Sequence, residues 1–514
     1  MRTLFQVWMP IFLVCLVAAT ANGQSFMVQC PDHTLTHPVA ANNNSEPAYT
    51  SAAAVNGAIK CQQISGGDGF ATMGDGSQTY MFSFGPLSGL AKMAAGQPGT
   101  DFPNEFNVVA PVTLKPGDPA TADGPIPPPE STPAQITAYL AAFNYNGAVG
   151  LAPDTDRGGI LDGHVDTRPI MDIGVMNGNI PAPLMAIDED DEFFLTLTNV
   201  GQIMRPDLFE QHTVHFHGYP NASSFYDGVP DASVAINIGG SFTYYYLAPD
   251  AGTYFWHCHI SPPEHLQMGM VGQIYVRPRQ NRVPAGTALR AALVTQQGNL
   301  RTACNSATDI LCTNPLPAVD TGATGGGKYA YNDGDGTTAY DVEYPLQIHG
   351  FDPNFHFVGM TFNPESFADM KDKYFLLNGR SYPDTINPGP LATQTTDGSN
   401  HFSQPLPSII TLTAGQKALL RISDLDVTEY QTLASLGIPM KVIGYNAKLL
   451  RDQAGNNMYY NTNSITLAGG ESLDVILDST GVPPGTYYLY TPNLDHLSND
   501  AENFGGLMTE VVVN

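Results

Sequence analysis

The stretch GTYFWHCHISPPEHLQMGMVG, running from Gly252 to Gly272, places His257, His259 and His265 around Cys258, with Met268 and Met270 just downstream. A second cluster, QHTVHFHGYP, supplies His212, His215 and His217. Side chains alternate between the two faces of an extended strand. His215 and His217 therefore share one face, and His212 takes the other. Likewise His257 and His259 share a face that Cys258 does not. Pairing the two strands in a sandwich yields two donor sets. Cys258 and His212 meet on one side, where His265 and Met270 complete the group. His215, His217, His257 and His259 meet on the other.

Two imidazoles, a thiolate and a thioether favour copper. A trigonal His₂Cys arrangement with a weak axial methionine is the blue-copper set: the thiolate gives a covalent electron path, and the constrained geometry limits rearrangement between oxidation states. Zinc is the rival metal, but zinc has no need of an axial thioether. Without a metal, Cys258 would be a buried structural cysteine beside surface histidines, a reading the spacing of four donors argues against. Met268 competes with Met270 for the axial place.

The elements that must hold these donors read as β-strands. Phe193, Leu195 and Leu197 alternate with Phe194, Thr196 and Thr198, and SFTYYYL, PSIITLTAG, KALLRIS and SLDVILD are similar short runs. Gly, Pro, Asn-Gly and Asp-Gly punctuate them, the pattern of antiparallel sandwiches with tight turns. Helical periodicity is scarce; TPAQITAYLAAF is the best short candidate. A faint internal duplication is visible. DDEFFLTLTN (Asp190–Asn199) is answered by AGQKALLRISDL (Ala414–Leu425), and GTYFWHCH by GTYYLYTP (Gly485–Pro492). Two sandwiches of related design follow, joined by TGATGGGKYAYNDGDGTT, whose composition suggests a flexible or loop-forming connector.

The opening MRTLFQVWMPIFLVCLVAATANGQ has a short cationic start, an apolar run and small residues at Ala19, Ala21 and Gly23, the layout of a secretory signal cleaved near Ala21 to Gln24. No later stretch approaches the ~20 apolar residues of a membrane span. An exported protein, periplasmic or extracellular, is expected. The net charge of −27 argues against nucleic acid or anionic lipid as a partner. Of the six cysteines, Cys15 leaves with the signal. Cys30 pairs with Cys61 and Cys304 with Cys312 by proximity in an oxidising compartment, and Cys258 is left over.

HTVHFHG together with the His-Cys-His…His…Gly-Met pattern resembles a multicopper oxidase cupredoxin domain, strongly over Asn177–Val276 and more weakly through FLLNGRSYPDT and MKVIGYNAKLL. The resemblance implies a type 1 copper at His212, Cys258, His265 and Met270, and type 2/type 3 copper at His215, His217, His257 and His259. The implied fold is all-β: two cupredoxin-like Greek-key β-sandwich domains plus an N-terminal extension. The expected divisions are signal peptide 1–23, extension and first strands of domain 1 at 24–165, its copper-binding core at 166–280, linker 281–340, and a copper-free domain 2 at 341–514. The chain departs from the family in two ways. The ISPPE loop between His259 and His265 is longer than usual. A full trinuclear cluster also draws on four His-x-His pairs, and this chain has two. In the second sandwich Tyr490, Thr491 and Pro492 stand where His257, Cys258 and His259 stand in the first, and Tyr445 falls where the His-bearing strand is expected.

Other residues read more plainly. His349, His356 and His496 are expected as solvated or hydrogen-bonded loop histidines, the alternative being metal ligands donated across a subunit interface. Asp227 reads as a turn residue, with an ordered second-shell water as its other role. His33 and His37 read as surface residues beside a disulfide.

Three functions compete. The first is an exported copper oxidoreductase that takes electrons at the type 1 site and passes them to a second copper site and to oxygen or another small acceptor. The second is a non-enzymatic electron carrier or copper-binding protein. The third is a nitrite-reductase-like enzyme with a type 2 copper on His217, His257 and a neighbouring chain's histidine, disfavoured because His215 stands where that family has Asp. Loops around such sites vary freely, so the electron donor has no signature here.

Overall fold

The computed structural model describes residues 28–38, 57–110, 145–152, 165–218, 223–248, 250–298, 315–359, 366–394 and 400–514. The signal segment, Cys304 and Cys312, and TPAQITAYLAAF lie outside them.

The first sandwich is built from β1 (Ile59–Thr72), β2 (Gln78–Pro86), β3 (Met185–Asp188), β4 (Glu192–Gly201), β5 (His215–Phe216), β6 (Ser241–Leu247), β7 (Gly252–His257) and β8 (Val271–Arg277). One sheet has the order β2-β1-β4-β6, the other β3-β8-β7-β5. The alternation in β4 sends Phe193, Leu195 and Leu197 inward, against Phe82, Phe84, Tyr244, Trp256 and Ile274. Each such side chain stabilises the fold by about 1.5–3 kcal/mol when fully buried. Cys258 and Met270 belong to this same core. A disulfide ties Cys30 of the extension to Cys61 in β1, the pairing expected from sequence. His37, expected at the surface, is instead 4% exposed, with Nδ1 2.8 Å from Glu192 Oε2. Burying it beside a carboxylate gives its ring nitrogen a partner.

The second sandwich repeats the plan. Val342–Phe351 runs parallel to Lys417–Asp424 as β1 does to β4, and Glu471–Asp478 completes the pairing as β6 does. The facing sheet places Gly485–Tyr490 between Met508–Val513 and Gln431–Leu436. Leu346, Ile348, Leu420, Ile422, Leu433, Val442 and Val475 fill its core. No helix among the described residues is long and apolar enough to cross a membrane.

The Gly/Asp-rich connector is packed rather than flexible. Ala330, Tyr331, Asn332 and Asp333 are buried, and Asp333 Oδ2 accepts from Thr338 N at 2.8 Å and from its hydroxyl at 2.6 Å. Arg451 reaches Asp335 at 2.7 Å. Composition suggested flexibility because glycine and aspartate suit open loops as well as tight, internally bonded turns.

The outer face of β7 and β8 lies on the second sandwich. Thr253 donates to Asp474 at 2.6 Å, Ser472 donates to Thr253 O at 2.7 Å, and Gln273 donates to Arg421 O at 3.0 Å and Ser423 Oγ at 2.9 Å. Glu343 accepts from Arg277 at 2.6 Å and from Arg421 at 3.0 Å. Burial pushes the Glu343 carboxyl up, but the two guanidinium groups more than offset this and hold it at about 2. A depressed carboxyl contributes stability that is present above its unfolded pKa, near 4.5, and is lost as pH falls through about 2. Glu343→Gln should therefore cost about 3 kcal/mol at pH 7. Its deficit against wild type, read from denaturant midpoints, should shrink between about pH 4.5 and about pH 2. An equal deficit at pH 7 and at the acid end would refute the charge-pair account.

Candidate metal centre

The strand pairing β5·β7 sets the geometry, with His215 opposite His257 and Phe216 opposite Trp256. From that register Cys258 continues inward past Trp256, and His257 faces out. His212, three residues before His215, arrives on the inner side, where Cys258 and His265 meet it with ligand atoms all within 4.8 Å. His265 Nδ1 is 3.3 Å from Cys258 Sγ, and His212 Nδ1 is 3.9 Å away. All three side chains are fully buried. Thr213 N–H also donates to the sulfur, at 3.4 Å.

Met270 lies in the same core, and its carbonyl accepts from Cys258 N–H at 3.1 Å. Gly66 makes room for the group: a Cβ there would sit 2.7 Å from His212 Cδ2 and 3.5 Å from Met270 Cε. That closeness puts Met270 beside the His212 ring. Phe82 packs edge-on against His265 at 5.1 Å.

Burial pushes the Cys258 thiol up, but His265 and His212 more than offset it and hold it well below the ordinary thiol range. Burial pulls His265 down, yet Cys258 and Glu210 push it up to about 9. The site thus favours a thiolate paired with an imidazolium, and a bound cation would take the place of that proton. His265 Nε2, buried and without a hydrogen bond, is 3.7 Å from Glu210 Oε2.

On the outer side burial pulls the His215, His217 and His257 imidazoles down. His217 Nε2 and His257 Nε2 are 2.9 Å apart, and His215 joins them within 4.8 Å. The His259 ring lies 5.0 Å from that of His215 and 5.7 Å from that of His257. Burial pulls His257 down to about 3; burial and the neighbouring His215 and His259 pull His217 down to about 4. Lone pairs are therefore available near neutral pH. Backbone carbonyls fix the rings: His257 Nδ1–H donates to Cys258 O at 2.7 Å and His215 Nδ1–H to Asp227 O at 2.6 Å. Each bond turns Nε2 towards the cluster, a common way to orient a metal-binding imidazole. A cavity of about 240 Å³ adjoins His217 and Phe255 and is walled on the far side by Asn446, Gly470 and Ser472 of the second sandwich.

Asp227, read from the sequence as a turn residue or one that orders a water, instead holds His215 by its main-chain carbonyl, with its carboxylate 3.7 Å from the same ring nitrogen. Sequence reasoning missed two other supporting groups. Thr213 latches both strands: its N–H donates to Cys258, and its hydroxyl accepts from His259 N–H at 3.0 Å. Its place between two donor histidines was the available signal. Glu210, two residues before His212, was equally legible by parity.

The second sandwich shows what replaces these donors. Ala434 pairs with Tyr490 as His215 pairs with His257, and Thr491 N–H donates to Leu507 O as Cys258 N–H does to Met270 O. QTLASLG (Gln431–Gly437) is thus the counterpart of HTVHFHG, with Gln431, Ala434 and Leu436 at the histidine positions. Tyr445 does not belong to the His-bearing strand. It ends Met440–Tyr445, which pairs with Glu471–Asp478 in the other sheet. The misplacement arose because VIGYN matches the hydrophobic pattern, and register is set only by pairing. His349 and His356 are buried at the contact with the first sandwich, not in solvated loops. His496 is buried too, with Nδ1 2.9 Å from Gln431 Oε1 and its ring stacked on Phe375 at 3.7 Å.

Residues 164–281 match the multicopper oxidase family. Laccase abr2 of Aspergillus fumigatus is 34% identical over 109 residues, which is 21% of this chain and 17% of the laccase. A copper-containing nitrite reductase of Rhizobium meliloti is 35% identical over 109 residues, 20% of this chain and 26% of the reductase. The solved blue copper oxidase of Nitrosomonas europaea is 20% identical, covering 66% of this chain and 78% of that one with a TM-score of 0.44. The matched segment therefore spans only 17% and 26% of the two curated relatives' length. That segment, which carries both donor sets, is the part of the chain that is similar to multicopper oxidases.

Proposed function

We propose that this protein is an exported copper oxidoreductase of multicopper-oxidase type. One observation carries the reading: Cys258 belongs to the inner donor set while its chain neighbours, His257 and His259, belong to the outer one. Copper, the family's cofactor, would supply one-electron chemistry, from a reductant at the inner set to an acceptor such as oxygen at the outer. The donors suit it: His212 and His265 turn Nδ1 towards a sulfur held as thiolate, with Met270 beside them as the thioether, and burial pulls the outer His215, His217 and His257 imidazoles down.

The protein's own residues do the rest. Thr213 and the two imidazoles stabilise negative charge on sulfur. Glu210, partly exposed, stands beside the His265 edge nearest solvent, which makes that edge the place for a reductant to approach. Asp227 and Cys258 carbonyls hold the His215 and His257 rings with Nε2 turned towards the cluster. The cavity beside His217 gives a small acceptor room, with any missing ligands coming from water, hydroxide or a neighbouring chain.

A second reading has its own support. His215, His217 and His257 alone converge as a single-metal trio, and copper-containing nitrite reductases are among the relatives. Copper stoichiometry separates the readings: one copper per chain fits a carrier, two a reductase-like site, three or more an oxidase.

Cys258→Ser should lose the strong visible thiolate-to-copper absorption while keeping its far-ultraviolet circular dichroism; a surviving band would end the type 1 assignment. His217→Ala with His259→Ala should lose the outer copper and all oxidase turnover yet remain blue. Full metal content and turnover in that variant would make those histidines structural. The second sandwich is proposed to bind no copper, since Gln431, Ala434, Leu436, Tyr490, Thr491 and Pro492 occupy the ligand positions. A full-length chain carrying Cys258→Ser, His217→Ala and His257→Ala should accordingly hold no stoichiometric copper. One tight equivalent there would locate a site in the second sandwich.

A further inference from the structure

His265 is carried by a helix that cannot fix its own position. Pro262–Gln267 is six residues long and starts at Ser261, which has φ 38° and makes no side-chain cap. Helices so short are marginal alone, and this one occupies the lengthened ISPPE loop. Its far end is held from outside. Gln267 is fully buried, and its Nε2 donates to Asp372 Oδ1 at 2.9 Å while its Oε1 accepts from Asp352 N–H at 3.1 Å. A buried amide without such partners would cost several kcal/mol, on the order of 1–3 by protein substitution data. The bonds therefore select one placement of the helix end.

The main-chain carbonyl of Gln267 is held as well. His356 lies between two carbonyl oxygens, with Nδ1 2.6 Å from Tyr80 O and Nε2 2.9 Å from Gln267 O. His349 Nε2 approaches the same Gln267 oxygen at 3.4 Å. The His356 ring is stacked on Phe351 at 3.5 Å and is fully buried. Tyr80 is two residues before Phe82, whose ring abuts His265; Gln267 is two residues after His265. One imidazole from the second sandwich thus spans the strand and the helix that meet at the donor set.

We propose that His356 and Gln267 are positioning residues for His265, so that the second sandwich sets the geometry of a metal site it does not contain. The proposal rests on reading His212, Cys258 and His265 as a copper site. It assigns His356, in LQIHGFDPNFHF, a role that differs from ligation.

The test uses full-length wild type, His356→Phe, His356→Gln and Gln267→Leu. His356→Phe keeps an aromatic ring on Phe351 but makes neither carbonyl contact; His356→Gln keeps one donor. In metal-free protein, amide exchange across residues 262–270 should quicken several-fold in His356→Phe and Gln267→Leu, with the Lys417–Asp424 strand unchanged. After copper loading, both should bind copper at the blue site about 10- to 100-fold more weakly, the usual effect of losing an outer-shell partner. Both should shift the thiolate-to-copper band, and His356→Gln should lie between them and wild type. Unchanged exchange, affinity and spectrum would overturn the proposal, as would exchange that quickens equally in the Lys417–Asp424 strand. Should His356→Phe fail to fold, Gln267→Leu decides by the same measurements. Should wild type never become blue, the copper reading falls, and exchange in the metal-free chain still decides whether His356 fixes the loop.

Discussion

The alternation of side chains along β7 is the constraint on which the rest of this structure depends. With His215 opposite His257, the next residue must turn inward and the one after it outward. A thiolate and a pair of imidazoles are thereby placed on opposite faces of one sheet although they are adjacent in sequence. A slip of one residue would exchange the faces, putting the cysteine against the second sandwich and the histidines into an apolar core. The flanking core residues resist that slip, because Trp256 and Tyr254 share the inward parity of Cys258 and would be expelled with it.

The two faces impose different electrostatics on chemically similar groups. Inside, burial alone would neutralise both Cys258 and His265, but their proximity makes the charged pair the favoured state. Outside, the Asp227 carboxylate, 3.7 Å from His215 Nδ1, only partly offsets burial, and burial with mutual repulsion pulls His215, His217 and His257 down. The first set is therefore prepared to exchange a proton for a metal cation, and the second to offer lone pairs directly. Both conditions come from placement, since the histidines are identical in composition.

Parity made the donor sets legible in sequence, because it needs only the identity and spacing of residues within one strand. The duplication of GTYFWHCH and GTYYLYTP was legible for the same reason. What escaped depends on tertiary register. The partner of His215 is a backbone carbonyl of Asp227, and Gln431, not Tyr445, is the counterpart of His212. His37 looked superficial, as His33 is, because nothing local announces Glu192, brought alongside by β4. His349 and His356 were misread as loop residues since their surroundings come from β2 and the Pro262–Gln267 helix.

The second sandwich holds its fold without histidines at the matching strand positions, and the residues there explain how. Gln431 and His496, at and near ligand positions, bond to each other, while Thr491 keeps the backbone pairing that Cys258 makes in the first sandwich. Internal hydrogen bonds hold such loops without a metal when each buried polar group finds a partner. This sandwich presents Asp474, Ser472, Ser423 and Arg421 to the outer face of β7 and β8, and His349, His356 and Asp372 to the loop that carries His265. Its surface reaches both donor sets of the first sandwich: the wall of the cavity beside His217 and the end of the His265 helix. The residues that wall the cavity beside His217 and meet the His265 helix are not those at the matching donor positions, Gln431, Ala434, Leu436, Tyr490, Thr491 and Pro492, so the two sets of constraints fall on different parts of this sandwich.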